Sequence, residues 1–331
     1  MLFLNFYKFS LVPLEGMKSL FSPEQFGETQ AHYSDEYECL ASFFDQPAKC
    51  LQLYVSKITT TGDRPAQESE AYRCDVMRIE DGIILFTIEN NRVKHTIVNK
   101  QDIENPHHPY TRIILNTKQH VLAIERNAAF GSDPQKIIGI LEEGIDNLIG
   151  RYRMKIQFTE LKKSRTDFWE TINDLRVQFK DIVRQIRIDF LGKESDSESS
   201  TLIQLLTILA KKAECEGSIL LSGSGEGEVN INEIRQDLEA IASICLAQPS
   251  YCLSVRFKNF GLYRYGAGVQ AQFELDEKVL QDFEHGTTIM DFDTNATTFS
   301  LIQWLNKINT LLDGYEEQPV VYTGRTSLNR R

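Results

Sequence analysis

Residues 132–161 read SDPQKIIGILEEGIDNLIGRYRMKIQFTEL, and the chain changes character inside them. Ser132, Asp133 and Pro134 supply a hydroxyl or acid cap followed by proline in a first turn, which is a helix start. Ile137, Leu141, Ile145, Leu148 and Tyr152 then recur at spacings of three and four, giving one apolar helical face. From Met154 the period falls to two, and Met154–Leu161 reads as a strand. Everything before this point is patterned as strand and turn. A domain boundary is therefore expected near Gly131, with residues 1–131 as a β-rich antiparallel domain and 132–313 as a mixed α/β domain.

Upstream, Leu2, Leu4 and Phe6 alternate with Phe3, Asn5 and Tyr7, as in a strand covered on both faces. A helical segment is expected over Ser34–Phe44, after a Ser-Pro start at Ser22. Strand candidates follow at Cys50–Thr60, Ala71–Ile79, Ile83–Glu89, Arg92–Val98, Thr111–Asn116 and His120–Glu125. The breakers between them are Asp81-Gly82, Asn90-Asn91 and the NPHHP run at 105–109. An Asp-Gly pair between apolar runs is a hairpin signal, and a meander is the economical arrangement.

Downstream, Ser164 and Asp167 suggest a cap before a helix carrying Phe168, Ile172, Leu175 and Phe179, and a strand follows at Val183–Phe190. The acidic, serine-rich KESDSESS at 193–200 reads as a solvated linker. The same order then returns: an apolar helix at Thr201–Ala213, a strand at Ser218–Ser222, a helix with Ile234, Leu238, Ile241 and Cys245, and a strand at Cys252–Phe257. Two helix–strand–helix–strand units, 133–192 and 200–261, would then be related, with parallel crossovers. Beyond them GLYRYGAG and Val269–Leu275 read as a hairpin, Phe299–Leu312 as a helix, and 314–331 as a flexible tail. The fold class expected is α+β.

The 331 residues carry 36 Lys+Arg against 47 Asp+Glu, a formal charge of −11, which disfavours nonspecific wrapping of nucleic acid or anionic membrane. No apolar run approaches the ~20 residues of a bilayer span. The six cysteines include no CxxC pair and read as buried free thiols. Without a basic leader region or cleavage site at the N-terminus, the protein is expected in the cytoplasm.

HExxH, GxxxxGK[ST] and GxSxG are absent, so zincin, P-loop and α/β-hydrolase chemistries lose their signatures. The loop SGSGEGE at 222–228 lies after a strand and before a helix, but Glu226 and Glu228 would repel phosphate and no lysine follows. His95, His107, His108 and His120 are the candidate metal ligands, or else the decoration of a turn. Asp146, Glu160 and Lys162 match a loose D…ExK pattern, in which carboxylates hold Mg²⁺ and lysine supports the attacking water. Asp291 and Asp293 are a further acid pair. No cofactor is expected outside the nuclease alternative.

The stretch 255–268 is the most unusual: Arg256, Lys258 and Arg264 interleave with Phe257, Phe260, Tyr263 and Tyr265 in an otherwise acidic chain. It reads as a hairpin with aromatics in the core and charges in solvent. Alternatively, Arg256, Lys258, Tyr263, Arg264 and Tyr265 form a binding platform for nucleic acid or protein. Arg325, Arg330 and Arg331 extend the same question to the tail.

The segments YTRIILNTKQHVLAIERNAAFGS (110–132), KSRTDFWETI (163–172) and RQIRIDFLG (184–192) together resemble uncharacterised bacterial proteins of mobile-element and phage-defence neighbourhoods. The resemblance implies a bacterial interaction or effector subunit and carries no catalytic residue across. The function expected is a non-enzymatic binding subunit with a protein partner. The alternatives are a metal-dependent nuclease and a small-ligand sensor, and the oligomeric state is open.

Overall fold

Between Glu80 and Ile83 the chain reverses in two residues, with Asp81 at φ 53° and Gly82 at φ 78°. Two consecutive left-handed residues match the twist of the flanking strands, and glycine enters that region without a Cβ penalty. The computed structural model describes residues 1–16, 36–45, 47–61, 64–90, 92–98, 101–131, 134–163, 168–191, 216–224, 227–248, 251–286 and 300–320. Its N-terminal strands are β1 (Leu2–Pro13), β2 (Cys50–Thr61), β3 (Arg64–Glu80), β4 (Ile83–Glu89), β5 (Arg92–Val98), β6 (Gln101–His107), β7 (Tyr110–Asn116) and β8 (Val121–Glu125). Helix α1 (Glu36–Phe44) follows β1. β2 to β4 and β7 to β8 run antiparallel to their neighbours, β4 pairing with β7. β5 and β6 leave the meander as a ribbon of their own. Here one expectation is corrected: the 105–109 run does not break the strand at its start, because β6 continues through Asn105, Pro106 and His107. A ribbon edge tolerates a residue with no N–H to donate.

Helix α2 (Gln135–Ile149) and strand β9 (Met154–Lys163) form where the sequence places them. The helix buries Ile137, Ile138, Leu141, Ile145 and Ile149. Gly144 sets its approach to β2, since a Cβ there would lie 2.7 Å from Leu53 Cβ. The chain divides into two units, Tyr7–Thr159 with Pro319–Arg331, and Met1–Phe6 with Glu160–Gln318. The division thus falls after Thr159 rather than near Gly131. The reason is packing: Ile137, Leu141, Ile145, Met154, Ile156 and Phe158 belong to the same core cluster as Phe9, Leu40, Phe44, Leu53 and Phe86.

The other unit contains α3 (Phe168–Gln178), β10 (Val183–Leu191), β11 (Glu216–Ser222), α4 (Arg235–Ala247), β12 (Tyr251–Phe257), β13 (Leu262–Tyr265), β14 (Gln272–Leu275), α5 (Glu277–His285), α6 (Leu301–Leu312) and β15 (Tyr315–Pro319). Its four-stranded sheet has the order β11-β10-β12-β13, antiparallel throughout. This overturns the duplication. Met154–Leu161 lies in a nine-stranded sheet of order β15-β9-β1-β8-β7-β4-β3-β2 with β14 on β1, whereas its supposed counterpart at 218–222 is the outer strand of the small sheet. The parallel pairing falls with it: β11 and β12, joined through α4, run parallel to one another, but β10 stands between them and pairs antiparallel with both.

Three smaller corrections concern the C-terminal third. β14 pairs antiparallel with Leu2–Asn5 of β1, and the hairpin of this region is β12–β13 instead. Residues 315–319, expected in a flexible tail, form β15 beside β9. Helix α5, capped by Asp276 and closed by Gly286 at φ 69°, was not expected, although Val279, Leu280 and Phe283 carry its apolar spacing. α6 begins with a capping box between Ser300 and Gln303. The caps at Ser132–Asp133 and at Ser164 and Asp167, the linker 193–200, the helix 201–213, Asp291, Asp293 and residues 321–331 lie outside the described residues. The protein is α+β with a β-rich N-terminal part. Among the described residues no helix is long and apolar enough to cross a membrane.

Candidate functional site

On β12 and β13 the side chains alternate, and the alternation separates the aromatic residues from the cations. Phe257, Phe260, Tyr263 and Tyr265 are all buried. Phe260 packs edge-on to Phe179, Phe257 and Phe273, with centroids 4.8, 5.8 and 5.8 Å away. Tyr263 and Tyr265 therefore offer no face on which a base could stack, and the aromatic half of the binding platform is corrected to core. Arg256 makes a two-pronged ion pair with Glu274, Nη1 to Oε2 and Nη2 to Oε1 both at 3.1 Å. Arg264 donates to Cys252 Sγ at 3.6 Å, and Lys258 is exposed. The buried Asp181 carboxylate accepts the N–H groups of Asn259 and Phe260 at 2.8 and 2.6 Å, holding the β12–β13 turn in place.

Asp146 stands on α2, and its Oδ1 accepts the Ile156 N–H at 2.7 Å; burial pushes its carboxyl up to about 6. Its oxygen is thus engaged with the first residues of β9. Glu160 and Lys162 do share a face, as period two requires, and they pair with each other at 3.1 Å. His120 is stacked on Tyr37 at 3.9 Å between centroids, and His108 is exposed. His95 and His107 lie on β5 and β6 with side chains outside the described set. Among the described residues no group of three or more His, Cys, Asp or Glu is arranged to hold a metal ion. Of the cysteines, Cys39, Cys74 and Cys245 are buried free thiols, and Cys50 and Cys252 are half-buried.

Lys163, which the sequence reading passed over, ends β9 on the opposite face from Lys162. Its ammonium lies over the rings of Tyr315, Tyr263 and Tyr265 at 4.6, 5.3 and 5.7 Å, and the residue is 6% exposed. It forms no ion pair among the described residues, and burial pushes it from 10.5 down to about 8. The unfolded chain therefore holds this proton between pH 8 and 10.5 after the folded chain has released it, and stability rises with pH across that window. We expect urea unfolding to show Lys163's contribution improving by about 2 kcal/mol from pH 7.5 to 9.5. Lys163→Met should flatten that rise and be the more stable protein at pH 7. Burial holds the Tyr263 and Tyr315 phenols well above their ordinary range, so tyrosine ionisation opposes folding only above about pH 10.

The exposed apolar side chains point elsewhere. Leu220 is 54% and Leu221 41% exposed, and both sit on β11, the outer strand of the small sheet. β11 pairs with β10 without a register shift from Gln185↔Ser222 to Leu191↔Glu216. The Gly223 N–H donates to Arg184 O at 3.0 Å, which sets the phase of the ladder. Residues 217, 219, 221 and 223 turn their backbone groups toward β10, so Ser218, Leu220 and Ser222 turn theirs outward. Edge strands are usually guarded by lysine, proline or a bulge. From Gly217 to Gly223 there is none of these. From the sequence, Ser218–Ser222 is expected in a crossover unit paired in parallel with Cys252–Phe257; the structure pairs it antiparallel with β10 instead. Comparison with protein-family models, curated proteins and solved structures found no match to this chain.

Proposed function

We propose that the protein is a cytosolic binding subunit, without catalytic chemistry of its own, that enters a protein assembly through the edge of β11. The observation that carries this reading is the row of outward backbone groups at Ser218, Leu220 and Ser222, on which no strand pairs among the described residues, flanked by the exposed side chains of Leu220 and Leu221. An added strand would satisfy those groups and cover that apolar surface together, which is how sheet-edge recognition gains both affinity and register. The acidic charge of −11 favours a protein over a polyanion at this edge. The resemblance to proteins of phage-defence neighbourhoods makes a defence complex the assembly to examine.

The test is the mass of the particle that the full-length chain enters when recovered gently from cells. Wild type is expected in a particle heavier than 38.0 kDa, and Leu220→Lys is expected at the mass of the single chain. An equivalent change at another exposed apolar residue, Val177→Lys, should leave the heavy particle intact. A wild-type monomer, or a particle indifferent to Leu220→Lys, would overturn the reading.

A further inference from the structure

The residues of the open edge read Gly217-Ser218-Ile219-Leu220-Leu221-Ser222-Gly223, the same in both directions apart from isoleucine for leucine. An antiparallel pair of identical strands related by a two-fold axis must place each residue opposite its mirror position. With the axis at Leu220, Leu220 meets Leu220 of the mate, Ile219 meets Leu221, Ser218 meets Ser222 and Gly217 meets Gly223. Every apolar residue then faces an apolar residue and every serine a serine. The next pair outward sets Glu216 against Ser224, so within 216–224 no like charges oppose each other although each chain carries −11.

The ladder phase agrees with this register. Leu220 turns its N–H and C=O away from β10, as deduced from the Gly223–Arg184 bond. Two copies centred there meet as a hydrogen-bonded pair, each Leu220 donating to and accepting from the other, with Ser218 and Ser222 repeating the exchange on either side. A register slip of one residue would set outward-facing backbone groups against inward-facing ones. Moving the axis by a whole residue keeps the phase but sets Leu220 against Ser218 or Ser222 and loses the matching of apolar with apolar. We infer that the occupant of the β11 edge is the β11 strand of a second copy of this chain, joining the two small sheets across a two-fold axis. The inference rests on the edge being the interaction site and names its partner.

Sedimentation velocity of the purified full chain across a wide concentration range tests it. Wild type should show a reversible species of twice the 38.0 kDa chain mass. Leu220→Lys and Leu220→Glu, each alone, place like charges face to face at the axis and should weaken the dimer by about tenfold or more. Because position 220 opposes itself, mixing the two variants should restore a dimer of one Lys and one Glu chain. Ser218→Pro removes an outward donor without touching the bonds to β10, and it should also give monomer with an unchanged circular dichroism spectrum. A purified wild type that stays monomeric, yet enters an edge-dependent heavy particle in cells, overturns the second copy and leaves the binding reading standing. A dimer that survives Leu220→Lys, or a mixture that stays monomeric, overturns the inference as well.

Discussion

Arg256→Ala should cost about 3 kcal/mol of folding stability, far more than a surface arginine usually does. The cost comes from the partner. The Glu274 side chain is 2% exposed, against 40% for Arg256, and the guanidinium supplies both of its hydrogen bonds. Removing the arginine leaves a carboxylate in the interior with nothing to balance it, whereas removing the glutamate leaves a guanidinium that water can reach. Glu274→Leu should therefore be the milder change, and Arg256→Ala combined with Glu274→Leu should recover most of the loss. Urea unfolding of the four proteins reads this directly. A loss below about 0.5 kcal/mol for Arg256→Ala would place the arginine among freely solvated charges. Arg264→Ala, whose guanidinium is bonded to Cys252 Sγ rather than to a buried carboxylate, is expected within that small range.

Phe260→Ala should be as damaging, at about 3–5 kcal/mol. Phe260 is 2% exposed, and its ring is edge-on to Phe179, Phe257 and Phe273 in one cluster. The Asp181 carboxylate clamps its backbone N–H from outside the cluster, so the turn cannot sink into the cavity left behind. A site that cannot collapse pays the full cavity term as well as the lost transfer energy. Phe260→Leu, which keeps most of the volume, should lose less than half as much. Thermal unfolding separates the outcomes, and near-wild-type stability for Phe260→Ala would show that the aromatic cluster relaxes around the gap.

Much of the secondary structure was legible residue by residue. The apolar spacing of Ile137, Leu141 and Ile145 marks α2, and period two marks β9, because both patterns are local consequences of backbone geometry, while a short continuous apolar run bounded by turn residues marks β4. Asp81-Gly82 marks its hairpin for the same reason, since the φ values it needs are favoured by those residue types. The cluster at 255–268 was legible as an oddity. Its meaning was open, because alternating Arg and Tyr have the same spelling whichever face of a sheet is covered.

The partners of the strands were not legible. Nothing within VRQIRIDFL or EGSILLS tells a strand whether its neighbour is parallel, and α/β alternation suggested a direct parallel pairing of β11 with β12 where β10 in fact comes between them. The pairing of β14 with β1 joins residues 272–275 to residues 2–5, a distance along the chain over which no local pattern carries information. Lys163 went unnoticed because a lysine at a strand end looks solvated until three tyrosines, two from β13 and one from β15, are brought over it.

By itself, then, the sequence determined where the chain turns, which segments are helix or strand, and which side chains share a face. It also holds the near-palindrome around Leu220, which is written plainly in seven residues. Only the tertiary structure decided that this segment is an outer strand, that its even-numbered backbone groups face outward, and that Tyr263 and Tyr265 face in. The reason is physical. Periodicity and turn chemistry act between near neighbours, whereas edge, face and burial are set by which distant strand arrives alongside, and that competition is settled by the whole core.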